Sequence, residues 1–152
     1  MIVTDDAGRR PLRLKIAAKD VRAIALAALA AERVTTGELS VLVTRDGKIR
    51  ELNRKFRGKD EPTNVLSFPQ DDPRSGKLIG DVVISIDYVA RQGEETGAGF
   101  RYTFAYYLVH GVLHLLGYDH HEKNDARKMY RRTREILEAA GEDRPARARR
   151  RT

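Results

Sequence analysis

Apolar and polar positions divide the chain into a mixture of strand and helix patterns. An opening strand is expected within Ile2 to Ile16, its limits blurred by Pro11. Asp20 stands where it would cap an alanine-rich helix through Val21, Ile24, Leu26, Leu29 and Ala30, ended by Thr35-Thr36-Gly37. Leu39 to Thr44 is β-branched, bounded by Gly37 and Asp46-Gly47, and reads as a strand. Ile49, Leu52, Asn53 and Phe56 recur at helical spacing before Gly58. A strand is expected from Asn64 to Phe68, fenced by Pro62 and Pro69, then a turn-rich loop over Gln70 to Gly76. Leu78 to Ile86 is too apolar for a sheet edge, and Asp87 to Glu95 reads as a helical turn or two. Phe100 to Leu116 is apolar on nearly every side, which predicts a buried central helix stopped by Gly117. A last helix is expected from about Glu122 to Ala140, closed by Gly141. Strands and helices in neither strict alternation nor blocks predict an α+β domain, a small mixed sheet with helices packed on it.

Composition narrows the chemistry. The 152 residues suffice for one compact domain, expected over 1–142. No repeat is visible, and no apolar run is long enough to span a bilayer. The first residues have no basic segment before an apolar stretch, so a cytoplasmic location is expected. Cysteine is absent, which excludes disulfides, thiolate metal sites and a cysteine nucleophile. Of the net charge of +7, the five arginines of Arg144 to Thr152 supply +5, leaving +2 for the rest. Residues 143–152 therefore read as a basic, disordered tail with a general attraction for polyanions.

All four histidines lie between residues 110 and 121. His110 and His114, four apart on the central helix, share one face. A turn at Gly117 is expected to carry His120 back over the helix end, where it would supply a third ligand. Three neutral imidazoles suit a zinc ion, or another divalent transition metal, and leave a fourth position for a reactant. His121 points elsewhere and is expected in solvent. The spacing H-x3-H-x2-G-x2-H is that of the metzincin zinc proteases, which place a general-base Glu directly after the first His; here that position is Gly111.

Residues 110–120 resemble the signature H-G-x-L-H-L-x-G-Y-D-H of the YbeY family of bacterial endoribonucleases, matching at His110, Gly111, Leu113, His114, Leu115, Gly117, Tyr118, Asp119 and His120. Leu52 to Pro69 (LNRKFRGKDEPTNVLSFP) resembles that family's upstream motif, and Gly80 to Ser85 its central strand. The resemblance implies an α+β fold, one metal held by His110, His114 and His120, and cleavage of single-stranded RNA. It further implies work on rRNA, in maturation of the small-subunit 3′ end and in ribosome quality control, with the ribosome as partner. Arg57 matches the arginine important for activity in the family, and His114 is taken with it as catalytic. Thr103 departs from the family, which usually carries Glu there, and the stretch after His120 is less acidic than usual.

Chemically, a zinc-type ion lowers the pKa of water from about 15.7 to near 7, and an arginine pairs with a phosphate as charge builds on it. Arg57 is expected in a loop from which it reaches the site, with Lys59 a lesser contact and Arg54 and Lys55 available to the RNA backbone. Asp119 is expected to cap the last helix or to orient an imidazole, and Ser67 to be structural or to bond substrate. Tyr102, Phe104, Tyr106 and Tyr107 read as core rather than as a platform for bases, since no RNP strand, GxxG clamp or zinc knuckle is present. Two other functions stay open on the residues: a metallo-hydrolase of peptides or small amides, and a ribosome-associated binding factor with a structural metal. The missing Glu after His110 counts against the first, and an open coordination position against the second.

Overall fold

The computed structural model describes residues 2–5, 16–70 and 78–145. The elements are β1 (Ile2–Asp5), α1 (Ala18–Ala31), β2 (Glu38–Thr44), α2 (Asp46–Arg57), β3 (Val65–Pro69), β4 (Leu78–Ser85), α3 (Ile86–Thr96), α4 (Phe100–Leu115) and α5 (Lys123–Ala139). They form the expected α+β fold around one mixed sheet of order β1-β2-β4-β3. β1, β2 and β4 run parallel, and β3 returns antiparallel to β4 with Val65 opposite Ile84 and Phe68 opposite Asp81. Most of the loop expected over Gln70 to Gly76, and residues 146–152 of the tail, lie outside the described residues.

The apolar run of β4 is explained by its place inside the sheet, where both faces are covered. Val82 and Ile84 pack into the main core, which α4 and α1 join through Phe104, Leu108, Val112, Val21 and Ala25. Val83 points the other way, into a small cluster with Leu66 and Ile49 of α2. The period-two alternation of a strand thus seats helices on both sides of the sheet. α4 is apolar all round because it packs against α1, α3 and α5 as well as β3 and β4. Among the described residues no helix is long and apolar enough to cross a membrane.

Three local expectations need correction. α1 starts two residues before Asp20, with Ala17 as its N-cap. Asp20 instead accepts from Arg101 Nη1 at 3.4 Å, while Arg101 grips Glu142 through two bonds of 3.0 and 2.6 Å. α3 is a full helix of 11 residues, started by the Ser85 hydroxyl, which accepts from the Tyr88 N–H. Arg57 is not in a loop: it is the last residue of α2, and Gly58 follows with φ 69°, the left-handed conformation that lets glycine end a helix.

Candidate metal centre

α4 is the scaffold of the site, and its position on the sheet depends on a missing side chain. A Cβ at Gly111 would stand 2.8 Å from Val82 Cγ1 and 3.0 Å from Val65 Cγ2. Glycine therefore lets the helix backbone settle on β3 and β4, and the buried Ser67 hydroxyl seals the contact by donating to the Gly111 carbonyl at 2.8 Å. This gives Ser67 a structural role. It also gives Gly111 a packing role, since position 111 faces the sheet.

His110 and His114 stand one turn apart on the face of α4 that borders solvent. Past Leu115 the chain reverses: the Gly117 N–H donates to His114 O at 3.1 Å and the Tyr118 N–H to Leu113 O at 3.0 Å. This pair of bonds is a Schellman motif, with Gly117 at φ 102°. Asp119 then accepts from the backbone N–H groups of His120 and His121 at 2.6 and 3.2 Å. Its carboxylate shapes this turn and does not cap α5, whose N-cap is Glu122 without a side-chain bond. The turn is anchored from behind by Glu32, which accepts from the Tyr118 hydroxyl at 2.8 Å and from Arg132 Nε at 3.0 Å.

The result is a cluster in which His110, His114 and His120 each turn a ring nitrogen to within 4.8 Å of the others. The His114 ring lies 4.9 Å from each of its two partners and nearly perpendicular to both. His110 and His120 face each other at 5.8 Å and 19°. His121 is 83% exposed and outside the cluster, as expected. Among the described residues this is the group of three or more His, Asp or Glu side chains suited to a metal ion.

Burial favours the neutral form of the two histidines on α4. Burial pushes the His110 pKa down to about 4, and the neighbouring His114 and His120 push the same way. His114 is lowered too, chiefly by burial and then by His120, with Arg57 contributing. Neutral imidazoles present lone pairs, and a buried Nδ1 of His110 has no hydrogen-bond partner. The donor set and this orphaned atom fit a borderline divalent ion. At Asp119, burial acts upward but is outweighed by its two backbone bonds and the adjacent histidines, so the carboxyl titrates below its usual range.

The three rings open on a cavity of about 640 Å³ that Arg57, Lys59, Asn64, Ser67, Tyr107 and Asp119 also line. Arg57 reaches it from α2 by donating through Nη2 to the Ser67 carbonyl at 3.3 Å. The loop after α2 is held by buried Asn53, whose amide donates to Glu61 O at 2.9 Å. Arg54 and Lys55 do not line the cavity. Thr103 lies away from it, its hydroxyl donating to the carbonyl of Gly99, the N-cap of α4, at 2.7 Å. Sequence reasoning missed Glu32 and Arg132. No local signal links residues 100 apart, although an acid at the end of one helix and an arginine inside another are the types such a bond needs.

A mixed four-stranded sheet, a buried helix bearing two histidines and a glycine turn returning a third together define an α+β domain whose three clustered histidines could hold a metal ion beside an open cavity. The chain belongs to the YbeY family: the model of that family, described as Endoribonuclease YbeY, matches residues 5–141. An Endoribonuclease YbeY of Anaeromyxobacter sp. is 47% identical over 130 residues, covering 85% of this chain and 68% of the relative. That of Anaeromyxobacter dehalogenans is 48% identical over 126 residues, covering 82% and 65%. The chain thus spans about two thirds of the length of both relatives. The solution structure of TM1509 from Thermotoga maritima superposes with a TM-score of 0.64 at 25% identity, covering 92% of this chain and 89% of that one.

Proposed function

We propose that the chain is a zinc-dependent endoribonuclease that cuts single-stranded RNA, acting in the cytoplasm on rRNA during small-subunit 3′-end maturation and ribosome quality control. The observation that carries this reading is the shared cavity of three clustered imidazoles and Arg57. His110, His114 and His120 would hold the ion. When bound, a zinc-type ion supplies Lewis-acid chemistry, acidifying water and polarising a phosphoryl oxygen.

The protein's own groups then have definite tasks. Arg57 stays charged and forms paired hydrogen bonds to non-bridging phosphate oxygens, which gain negative charge as the phosphodiester is attacked. The Ser67 carbonyl aims that guanidinium, and the Ser67 hydroxyl ties the same strand to the helix bearing His110. Asp119 stays ionised and keeps the turn that presents His120. Lys59, on the cavity wall, offers a cation to the RNA backbone.

Arg57→Ala tests the reading. The variant should keep its metal and fold yet cleave single-stranded RNA about 100-fold or more slowly, the usual effect of removing one preorganised donor. Full activity without Arg57 would exclude it from the chemistry. Peptide or amide hydrolysis without RNA cleavage would point to the other hydrolase class.

Acid sensitivity gives a second expectation. In metal-free protein, folded His110 takes its proton near pH 4, whereas the unfolded chain takes it near the ordinary value of 6.5. Stability from this residue is thus complete above 6.5 and falls as pH drops toward about 4, because the unfolded state binds the extra proton. Thermal melts across that window should show a smaller acid loss of Tm for His110→Asn than for the wild type. Equal losses would contradict the buried neutral imidazole.

A further inference from the structure

The aromatic residues ahead of the histidines are not all core. Phe104 is fully buried, but Tyr102, Tyr106 and Tyr107 are only half-buried, and Tyr130 of α5 is 47% exposed. Residues 102, 106, 110 and 114 recur once per turn on α4, so one stripe of rings runs from the tyrosines into the metal cage. Tyr106 lies 6.0 Å from His110 and nearly parallel to it, at 18°. Tyr102 and Tyr130 flank Tyr106 at 6.5 and 6.3 Å.

These rings line a recess of about 230 Å³ among α3, α4 and α5, and Tyr107 borders both this recess and the histidine cavity. Arg144 also lines it, with a buried Nε that has no hydrogen-bond partner. Outside the recess, Arg127, Arg131 and Arg134, spaced four and three apart on α5, join Tyr130 around a shallow cavity of about 410 Å³. Its acid, Glu138, stands 4.0 Å from Arg134, while Arg127 and Arg131 pair with no acid among the described residues.

We propose that this groove is a second RNA-contacting surface: an unstacked base lies against Tyr102, Tyr106 and Tyr130, and the adjoining phosphates meet Arg131, Arg134 and Arg144. The ligand class follows from the combination. Aromatic faces accept any base, guanidinium groups track a polyanion, and the ring stripe leads to the site where a phosphodiester would sit. A purely apolar partner would leave Arg131 and the buried Nε of Arg144 unanswered, whereas Arg134 already has Glu138 at 4.0 Å and the Tyr130 ring at 5.8 Å. The inference rests on the endoribonuclease reading for the identity of the strand, and it places the nucleotides flanking the cut along α4.

The test uses the full chain with its metal and a nuclease-resistant single-stranded 2′-O-methyl oligoribonucleotide, followed by fluorescence anisotropy. Tyr130→Ala, at an exposed position, should weaken binding about 5- to 150-fold, the range for one stacked base. Tyr130→Phe should restore it, since the ring and not the hydroxyl is used. Arg131→Ala should lower the slope of log affinity against log salt by about 0.7. Arg22→Ala, an exposed arginine of α1, should change nothing. Unaltered affinity in Tyr130→Ala and Arg131→Ala would overturn the proposal even if the protein cleaves RNA. Weakened binding in a protein that cleaves no RNA would uphold the groove and overturn the nuclease reading instead.

Discussion

Replacing His114 with alanine should remove the metal and with it RNA cleavage, while the fold persists. His114 is the middle member of the cluster, 4.9 Å from both other rings, so its loss leaves two histidines facing each other across a gap. Losing even an outer partner of a metal ligand typically costs roughly 10–100-fold in affinity or activity, and losing the ligand itself should exceed that. The side chain faces the cavity while its helical neighbours Leu113 and Leu115 fill the core, so the substitution opens no core void. Elemental analysis of the purified variant beside a cleavage assay checks both halves. A variant that holds a full equivalent of metal and still cuts RNA would contradict the assigned cage.

The second large effect is expected at Gly111, a position that faces the sheet and does not line the cavity. On helix propensity alone, Gly111→Ala should stabilise α4 by about 1 kcal/mol. The sheet opposes it, because the new Cβ would meet Val82 and Val65 at 2.8 and 3.0 Å and crowd the Ser67 hydroxyl at 3.3 Å. Overpacking of this kind costs about 1–3 kcal/mol, so the net change should be destabilising and larger still for Gly111→Val. Lifting the helix also strains the Ser67–Gly111 bond and moves His110 relative to Arg57, which Ser67 holds. A displacement of about 1 Å can cost 100-fold in rate, so activity should fall further than stability. Denaturant titration of both variants reads the first effect and cleavage rate the second; a Gly111→Ala protein more stable than the wild type would show that the helix is free to shift.

How much of this was legible in the sequence depended on the range of the interaction. His110, His114 and the Gly117 turn are local, so helical period and a left-handed stop suffice to gather three rings. β4 announced its interior place through an unbroken apolar run. Long-range bonds left no such trace. The acid that steadies the start of α2 is Asp87 of the next helix, accepting from the Asp46 N–H at 3.2 Å, and no pattern around Asp46 foretells it. Asp20 looked like a cap because capping is what an acid does at a helix start, yet Arg101 claims it. Gly111 was legible as an absent catalytic acid but not as a packing contact, since the facing valines come from two different strands. The tyrosines misled for a related reason: helical spacing shows a stripe, and only the placement of α5 decides whether the stripe is covered.

The most direct measurement of the central claim is X-ray absorption at the metal edge of the loaded protein. Three imidazole nitrogens at about 2.0–2.1 Å, with a further light ligand not supplied by the chain, are predicted. Fewer than three histidine ligands, or a fourth ligand from the protein that closes the coordination sphere, would contradict it.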